Sequence, residues 1–324
     1  MAYPTTGPTG MSLAAEPREN QGTVSCSLTR EPDRIESAIM KRFERPSAPQ
    51  PESSLTPGVT RVVWLTDLHL NFLSRAGSDA FLHRLSGVDA DAFLLGGDTG
   101  EAGSLLDYLR RLDTLADRPV FFVLGNHDFY GGSISSVNAA VTLFVSAAEN
   151  LTWLNTAGVV RLAEQTALIG HGSWGDARLG NVRSSPVELN DFRHISELQG
   201  LSIKQRAKIL NALGDEAATC LGQSLLQALE SFQRVILLAH VPPFREAAVH
   251  EGQPSGDDWL PYFCCHAVGE MLRSTMSRRP DRHLTVLCGH THGAGRCFVL
   301  PNLEVRTGGA EYGRPEIQGV LDCR

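Results

Sequence analysis

Five short apolar runs in this chain each end in a small cluster of polar, metal-capable residues, and that repeated juncture limits the possible folds more than any other feature. RVVWLT leads into Asp67-Leu68-His69, DAFLLG into the Gly96-Gly97-Asp98 turn, VFFVLG into Asn126-His127-Asp128, RVILLA into His240, and LTVLCG into His290-Thr291-His292. The runs are apolar throughout instead of alternating, as strands buried on both faces are. Strands of that type belong in an α/β sheet covered by helices, and the loops at its carboxyl edge are where such sheets bind ligands. Residues more than 200 positions apart would then meet in one cluster.

The residue types in the cluster point to metal chemistry. Carboxylates, imidazoles and an amide, with no thiolate among them, suit hard to borderline divalent ions such as Mn, Fe, Zn or Co. In GHTH, His290 and His292 stand at i and i+2, so on an extended segment they share a face and can address two ions from one side. Taken singly, DLH or GD reads equally well as a turn or a helix cap. It is the ordered set that carries the argument.

That set, D-x-H, G-D, G-N-H-D, a lone H and G-H-x-H over residues 62 to about 310, resembles the calcineurin-like metallophosphoesterase superfamily. The resemblance implies a four-layer α/β/β/α sandwich with two mixed β-sheets. It also implies two divalent metal ions, one held by Asp67, His69, Asp98 and His292 and the other by Asp98, Asn126, His240 and His290, with Asp98 bridging. A carboxylate can lend an oxygen to each of two cations, as an imidazole normally cannot, and the glycine turn before Asp98 lets the chain approach them. His127 would face the leaving-group oxygen as a catalytic residue, oriented by Asp128. The expected reaction is hydrolysis of a small phosphodiester or phosphomonoester by attack of a metal-bridging hydroxide. The GNHD form is similar to cyclic-nucleotide and glycerophosphodiester phosphodiesterases, which favours a diester. The GDTGEAG segment lacks the GD-x-V-D-R-G pattern of serine/threonine protein phosphatases, and it also departs from the GD-[LIV]-x-[DN] of many phosphodiesterases.

The rest of the chain frames this site. Residues 1–58, rich in Pro, Ser, Thr, Gly and Glu, read as a disordered or loosely packed tail with one short helical stretch near IESAIMKRF, and 59–324 as a single metallophosphoesterase domain. The segment at about 172–232 reads as a specificity insertion, loop-like at first and then a long helix with Ile209, Leu210, Leu213, Leu221, Leu225 and Leu229 on its apolar side. Candidate substrate contacts are His171, Arg178, Arg183, Asn190 and Arg193, joined by Arg245 from the loop after His240. CFVLP, LEVRTGG and IQGVLDC after GHTH read as short strands completing the second sheet. Cys264 and Cys265 fall in an apparent helix with one facing inward.

Composition narrows the partners. The seven cysteines are odd in number with no CxxC pair, which suggests neither a disulfide framework nor a zinc knuckle. The opening residues lack the charged start and apolar core of a secretory signal, and no run approaches a membrane span, so a cytoplasmic protein is expected. A net charge of −7 without a basic run disfavours a nucleic-acid partner, whose binding rests on phosphate neutralisation. A small phosphorylated substrate fits better than the alternatives, a nuclease on the same scaffold or a non-catalytic interaction module. The oligomeric state is left open.

Overall fold

Val62 and Trp64 of the first strand face one way and Val63 and Leu65 the other, and all four are buried. That double burial is what the unbroken apolar run dictates, and it sets the layering of the whole molecule. The computed structural model describes residues 61–115, 117–250 and 252–324. The tail expected at 1–58, with its short helical stretch, lies outside the described residues.

In chain order the strands are β1 (Arg61–Leu65), β2 (Ala92–Gly96), β3 (Val120–Val123), β4 (Leu151–Trp153), β5 (Val160–Arg161), β6 (Thr166–His171) and β7 (Arg234–Ala239). They continue with β8 (Val249–His250), β9 (Gln253–Pro254), β10 (His283–Cys288), β11 (Gly295–Leu300), β12 (Leu303–Thr307) and β13 (Gly319–Asp322). The helices are α1 (Arg75–Ser86), α2 (Leu105–Leu115), α3 (Ile134–Val145), α4 (Leu154–Ala157), α5 (Asp191–His194), α6 (Ile203–Ser231), α7 (Leu260–Phe263) and α8 (His266–Met276).

Among the described residues these strands form two mixed sheets and a small β8-β9 ribbon. The first has the order β13-β1-β2-β3-β4 and the second β11-β12-β10-β7-β6-β5. Their inner faces meet through Trp64, Leu94, Phe121, Leu168, Ile236 and Leu287. On the outer face of the first sheet, Val63, Phe93 and Phe122 pack on Phe81 and Leu82 of α1, Leu109 of α2 and Val141 of α3. On the outer face of the second, Ile169, Leu237, Val286 and Val305 pack on Leu225 of α6 and Leu272 of α8. The architecture is the four-layer α/β/β/α sandwich. Each of the five polar motifs follows directly on a strand, β1, β2, β3, β7 or β10, and these five are parallel to their motif-bearing neighbours within each sheet.

Helix α6 starts at Ser202, whose side chain accepts from the Gln205 backbone N–H while Gln205 returns a bond to the Ser202 N–H, a reciprocal cap. Its Leu210 and Leu213 pack with the first helical layer, and its Ala217, Leu221, Leu225 and Leu229 with the second. Ile209, from the expected apolar side, is only half-buried. No helix of the described residues is long and apolar enough to cross a membrane.

Two expectations need correction. β11 and β12 form a hairpin on the edge of the second sheet, but β13 crosses to the first and pairs antiparallel with β1. Without it the backbone groups on that side of β1 would be an open edge, and Thr166 of the second sheet anchors its end by donating to the Cys323 carbonyl at 2.7 Å. Cys264 and Cys265 do not sit in a helix with one side inward. They occupy the extended break between α7 and α8, and both are fully buried.

The α6 interface gives a stability prediction. Leu225 is fully buried while its neighbour Leu226 is half exposed. Leu225→Ala should therefore cost about 2–5 kcal/mol by urea denaturation, and Leu226→Ala no more than about 0.5 kcal/mol.

Candidate metal centre

Asp98 sits immediately after β2, and its two carboxylate oxygens face different histidines. Oδ2 is 3.6 Å from His69 Nε2 and Oδ1 is 3.4 Å from His240 Nε2. On the Oδ2 side, Asp67, His69, Asp98 and His292 offer ligand atoms all within 4.8 Å of one another. There the two Nε2 atoms of His69 and His292 lie 3.1 Å apart, and His292 Nε2 is 3.5 Å from Asp67 Oδ1. On the Oδ1 side, Asn126 Oδ1 lies 3.0 Å from His240 Nε2 and 2.9 Å from His290 Nδ1. All seven residues nominated as metal ligands are thus in one continuous cluster.

The hydrogen bonds behind the Asn126 group fix what those atoms are. His240 Nδ1 is 2.9 Å from the Gly96 carbonyl and His290 Nε2 is 3.0 Å from the Tyr262 carbonyl. Only a protonated nitrogen can bond a carbonyl, so in a singly protonated ring the opposite nitrogen carries a lone pair. Burial, then the nearby His240, holds the His290 imidazole well below its usual range, so its ring is neutral. Asn126 is oriented in the same way. Its Nδ2 donates to Asp191 at 2.8 Å and to Tyr130 Oη at 3.3 Å, which turns Oδ1 toward the two rings. With each ring singly protonated on its carbonyl side, three lone-pair atoms converge, an arrangement that fits a cation.

Charge leads to the same conclusion. Burial, followed by the neighbouring Asp67 and Asp128, pushes the Asp98 carboxyl well above the usual carboxylate range. Burial holds His69, His127 and His292 below the usual imidazole range, His127 down to about 3. Neutral imidazoles and crowded carboxylates are a set of electron-pair donors short of positive charge.

The backbone is bent to bring these groups together. Among the described residues, seven other than glycine have positive φ, and five of them are Asp67, His69, Asp98, His290 and His292. Clustering of so many non-glycine residues in the left-handed region marks stored strain at a functional position. Adjacent glycines have a steric role. A Cβ on Gly125 would overlap Asp98 Oδ1, and one on Gly289 would overlap Asp67 Oδ2.

The structure places the remaining nominated residues less uniformly. The His127 ring lies 4.6 Å from that of His69 and stacks on Tyr130 at 4.2 Å. Among the described residues its Nδ1 is buried without a hydrogen-bond partner, and Asp128 does not orient it. The Asp128 carboxylate instead accepts the backbone N–H groups of Asp98, Thr99, Gly100 and Gly125 at 2.9–3.0 Å. It braces the two loops that carry Asp98 and Asn126. His171 is buried but engaged elsewhere, accepting from the Ser173 N–H at 3.0 Å and facing Glu216 of α6 at 3.1 Å. Arg178 is tied to Asp176 and Asp215, and Arg245 to Asp257. Arg183, Asn190 and Arg193 are exposed.

Sequence reasoning passed over two contributors. Asp191, one position after the nominated Asn190, is buried and accepts from Tyr130 Oη at 2.6 Å as well as from Asn126. Burial raises its carboxyl pKa, against the lowering effect of those two bonds. The second is Tyr312, whose ring lies 4.6 Å from His69 and 5.0 Å from His292. The distinctive VELNDF segment was a signal for the first; nothing in the sequence marked the second.

Asp191 yields a prediction. With Asp191→Ala, the Asn126 amide loses its stronger anchor, and divalent-metal affinity at that side should fall about 10–100-fold. Calorimetric titration of the metal-free protein with Mn would measure it, and Asp191→Asn, which retains an acceptor oxygen, should lose less.

Comparison with known proteins agrees with this geometry. Residues 60–294 match the family model described as calcineurin-like phosphoesterase. No curated protein matches by sequence. Among solved structures, a phosphopantetheinyl hydrolase from Mycobacterium tuberculosis is similar with a TM-score of 0.54 at 12% identity, over 78% of this chain and 91% of that one. A dimetal phosphatase from Danio rerio gives a TM-score of 0.49 at 15% identity, over 78% and 88% of the two chains. The first of these likenesses shows a shared fold.

Proposed function

This chain belongs to the calcineurin-like phosphoesterase family and is a metal-dependent phosphoesterase, and from that premise we propose that it hydrolyses a small phosphodiester in preference to a monoester. The observation that carries the site assignment is the placement of Asp98, one oxygen toward His69 and the other toward His240. In this reading Asp67, His69, Asp98 and His292 hold one divalent ion, and Asp98, Asn126, His240 and His290 the other. Such ions supply a deprotonated water at neutral pH and neutralise charge on the phosphoryl oxygens. Mn, Fe, Zn and Co all suit the donor set.

The protein's own groups position and polarise. Asp128 holds the Asp98 and Asn126 loops in register through four backbone N–H groups. His127, neutral and stacked on Tyr130, presents its ring beside His69. It is assigned to hydrogen-bond the departing oxygen. The loop at residues 172–202 supplies Asp191 beneath Asn126, so we assign the segment at about 172–232 the shaping of substrate access as well as ligand support. The diester preference has electrostatic support. A monoester carries close to two negative charges at neutral pH, a diester one, and two of the nominated arginines, Arg178 and Arg245, are already paired with carboxylates.

The test is hydrolysis of bis(p-nitrophenyl) phosphate against p-nitrophenyl phosphate after metal is stripped and Mn restored. Turnover should require metal, favour the diester and disappear in Asp98→Ala; faster monoester turnover would reverse the diester assignment. His127→Ala should retain bound metal by elemental analysis while losing about 10²–10⁴-fold in turnover on a diester with a poor leaving group. Unchanged turnover there removes His127 from the reaction.

A further inference from the structure

Between β12 and β13 the chain makes an irregular excursion over residues 308–318 that is built to hold a ring above the metal ligands. Its base is closed by one side chain: Gln318 accepts from the Gly309 N–H at 2.9 Å and donates to the Gly309 carbonyl at 2.8 Å. The Gln318 N–H bonds the Trp64 carbonyl at 2.9 Å and the Ala310 N–H bonds the His292 carbonyl at 3.2 Å. These tie the loop to β1 and to the last ligand motif. At its tip Glu311 and Arg314 pair with each other at 3.2 Å, and Tyr312 lies between them in sequence.

Tyr312 is 47% exposed and Phe72, from the turn after His69, is 45% exposed. Their rings are 4.5 Å apart at 37°, and Tyr312 lies within 5.0 Å of the His69 and His292 rings. Two large aromatic rings are thus left half in solvent against a cluster in which Asp67, His69, Asp98 and His240 are buried. The base of the loop is closed by Gln318 on Gly309. Trp259, another exposed ring, stands one residue further from the ligands, behind Phe263, which lies 5.3 Å from His290, and His250, which bonds the Thr291 carbonyl.

We propose that Tyr312 and Phe72 form a stacking platform that selects phosphoesters carrying a planar aromatic group, a nucleobase or an aryl ring, close to the phosphorus. The proposal rests on the phosphoesterase reading above and names its substrate class. Paired π-faces beside a charged centre reward a flat partner by offset stacking, and such stacking is tolerant of which base or ring is presented. Arg314, on the same loop, is paired with Glu311, and Arg245 with Asp257.

Binding of non-hydrolysable phosphonates separates the platform from the chemistry. The metal-loaded protein, its Mn content verified by elemental analysis, is titrated calorimetrically with methylphosphonate, cyclohexylphosphonate and phenylphosphonate, which share one metal-seeking head. Phenylphosphonate should bind up to about tenfold more tightly than the methyl probe, and more tightly than the cyclohexyl probe, which is apolar but not flat. Tyr312→Phe should keep this preference. Tyr312→Ala and the bulkier Tyr312→Leu, each checked for native circular dichroism and Mn content, should lose it. A wild-type protein that does not distinguish phenyl from cyclohexyl, or a preference that survives both Tyr312→Ala and Tyr312→Leu, overturns the platform and leaves the phosphoesterase reading standing. No binding of any phosphonate to the metal-loaded protein overturns the platform, whereas absence of metal-dependent turnover of both aryl phosphates is what overturns the phosphoesterase reading.

Discussion

Four carboxylates, those of Asp67, Asp98, Asp128 and Asp191, are buried close to one another, and the need to offset their repulsion organises everything around them. Three have protein donors suited to the task. Asp128 takes four backbone N–H groups, Asp191 takes Tyr130 and Asn126, and Asp67 takes the Thr66 hydroxyl and the His290 N–H. Among the described residues Asp98 accepts only the His127 N–H at 2.9 Å and otherwise faces the His69 and His240 rings. A buried anion so poorly provided for is strongly destabilising unless positive charge joins it. The metal requirement of the family is thus a property of this polar arrangement, and the surrounding bonds confine the deficit to one carboxylate.

Rigidity is the other half of the arrangement. Five ligand-bearing residues hold left-handed backbone conformations that cost of order 1 kcal/mol or more each. They persist because each lies within a few residues of a strand whose two faces are both packed. The sandwich therefore serves the site directly, since a sheet covered on one side only would leave the strand ends freer to relax the strain.

Much of this was legible in the sequence, for definable reasons. An apolar run buried on both faces is unmistakable in composition, and a polar motif directly after it can only lie at the sheet edge. That fixed the strands bearing the ligands and the cluster they make. What escaped depends on irregular segments. Asp191 and Tyr312 reach the cluster from loops whose course is set by remote contacts, Asn126 for one and Gln318 closing on Gly309 for the other. The sequence sets Asp128 beside His127 as its orienting partner, whereas the amides it serves come mostly from 98–100. β13 has one buried side chain, Leu321, too little pattern to say which sheet it joins.

The destination of β13 bears on how the chain matures as it is made. β1 is among the first described segments to leave the ribosome, and the strand that covers its outer edge is among the last. At about 5–20 residues per second the interval is on the order of 10–50 s. For that time the nascent first sheet presents an unpaired row of N–H and C=O groups, while GHTH, needed to complete the ligand set, is also still to come. The half-made protein is thus both open-edged and metal-poor, a state in which association with a chaperone has the most to protect.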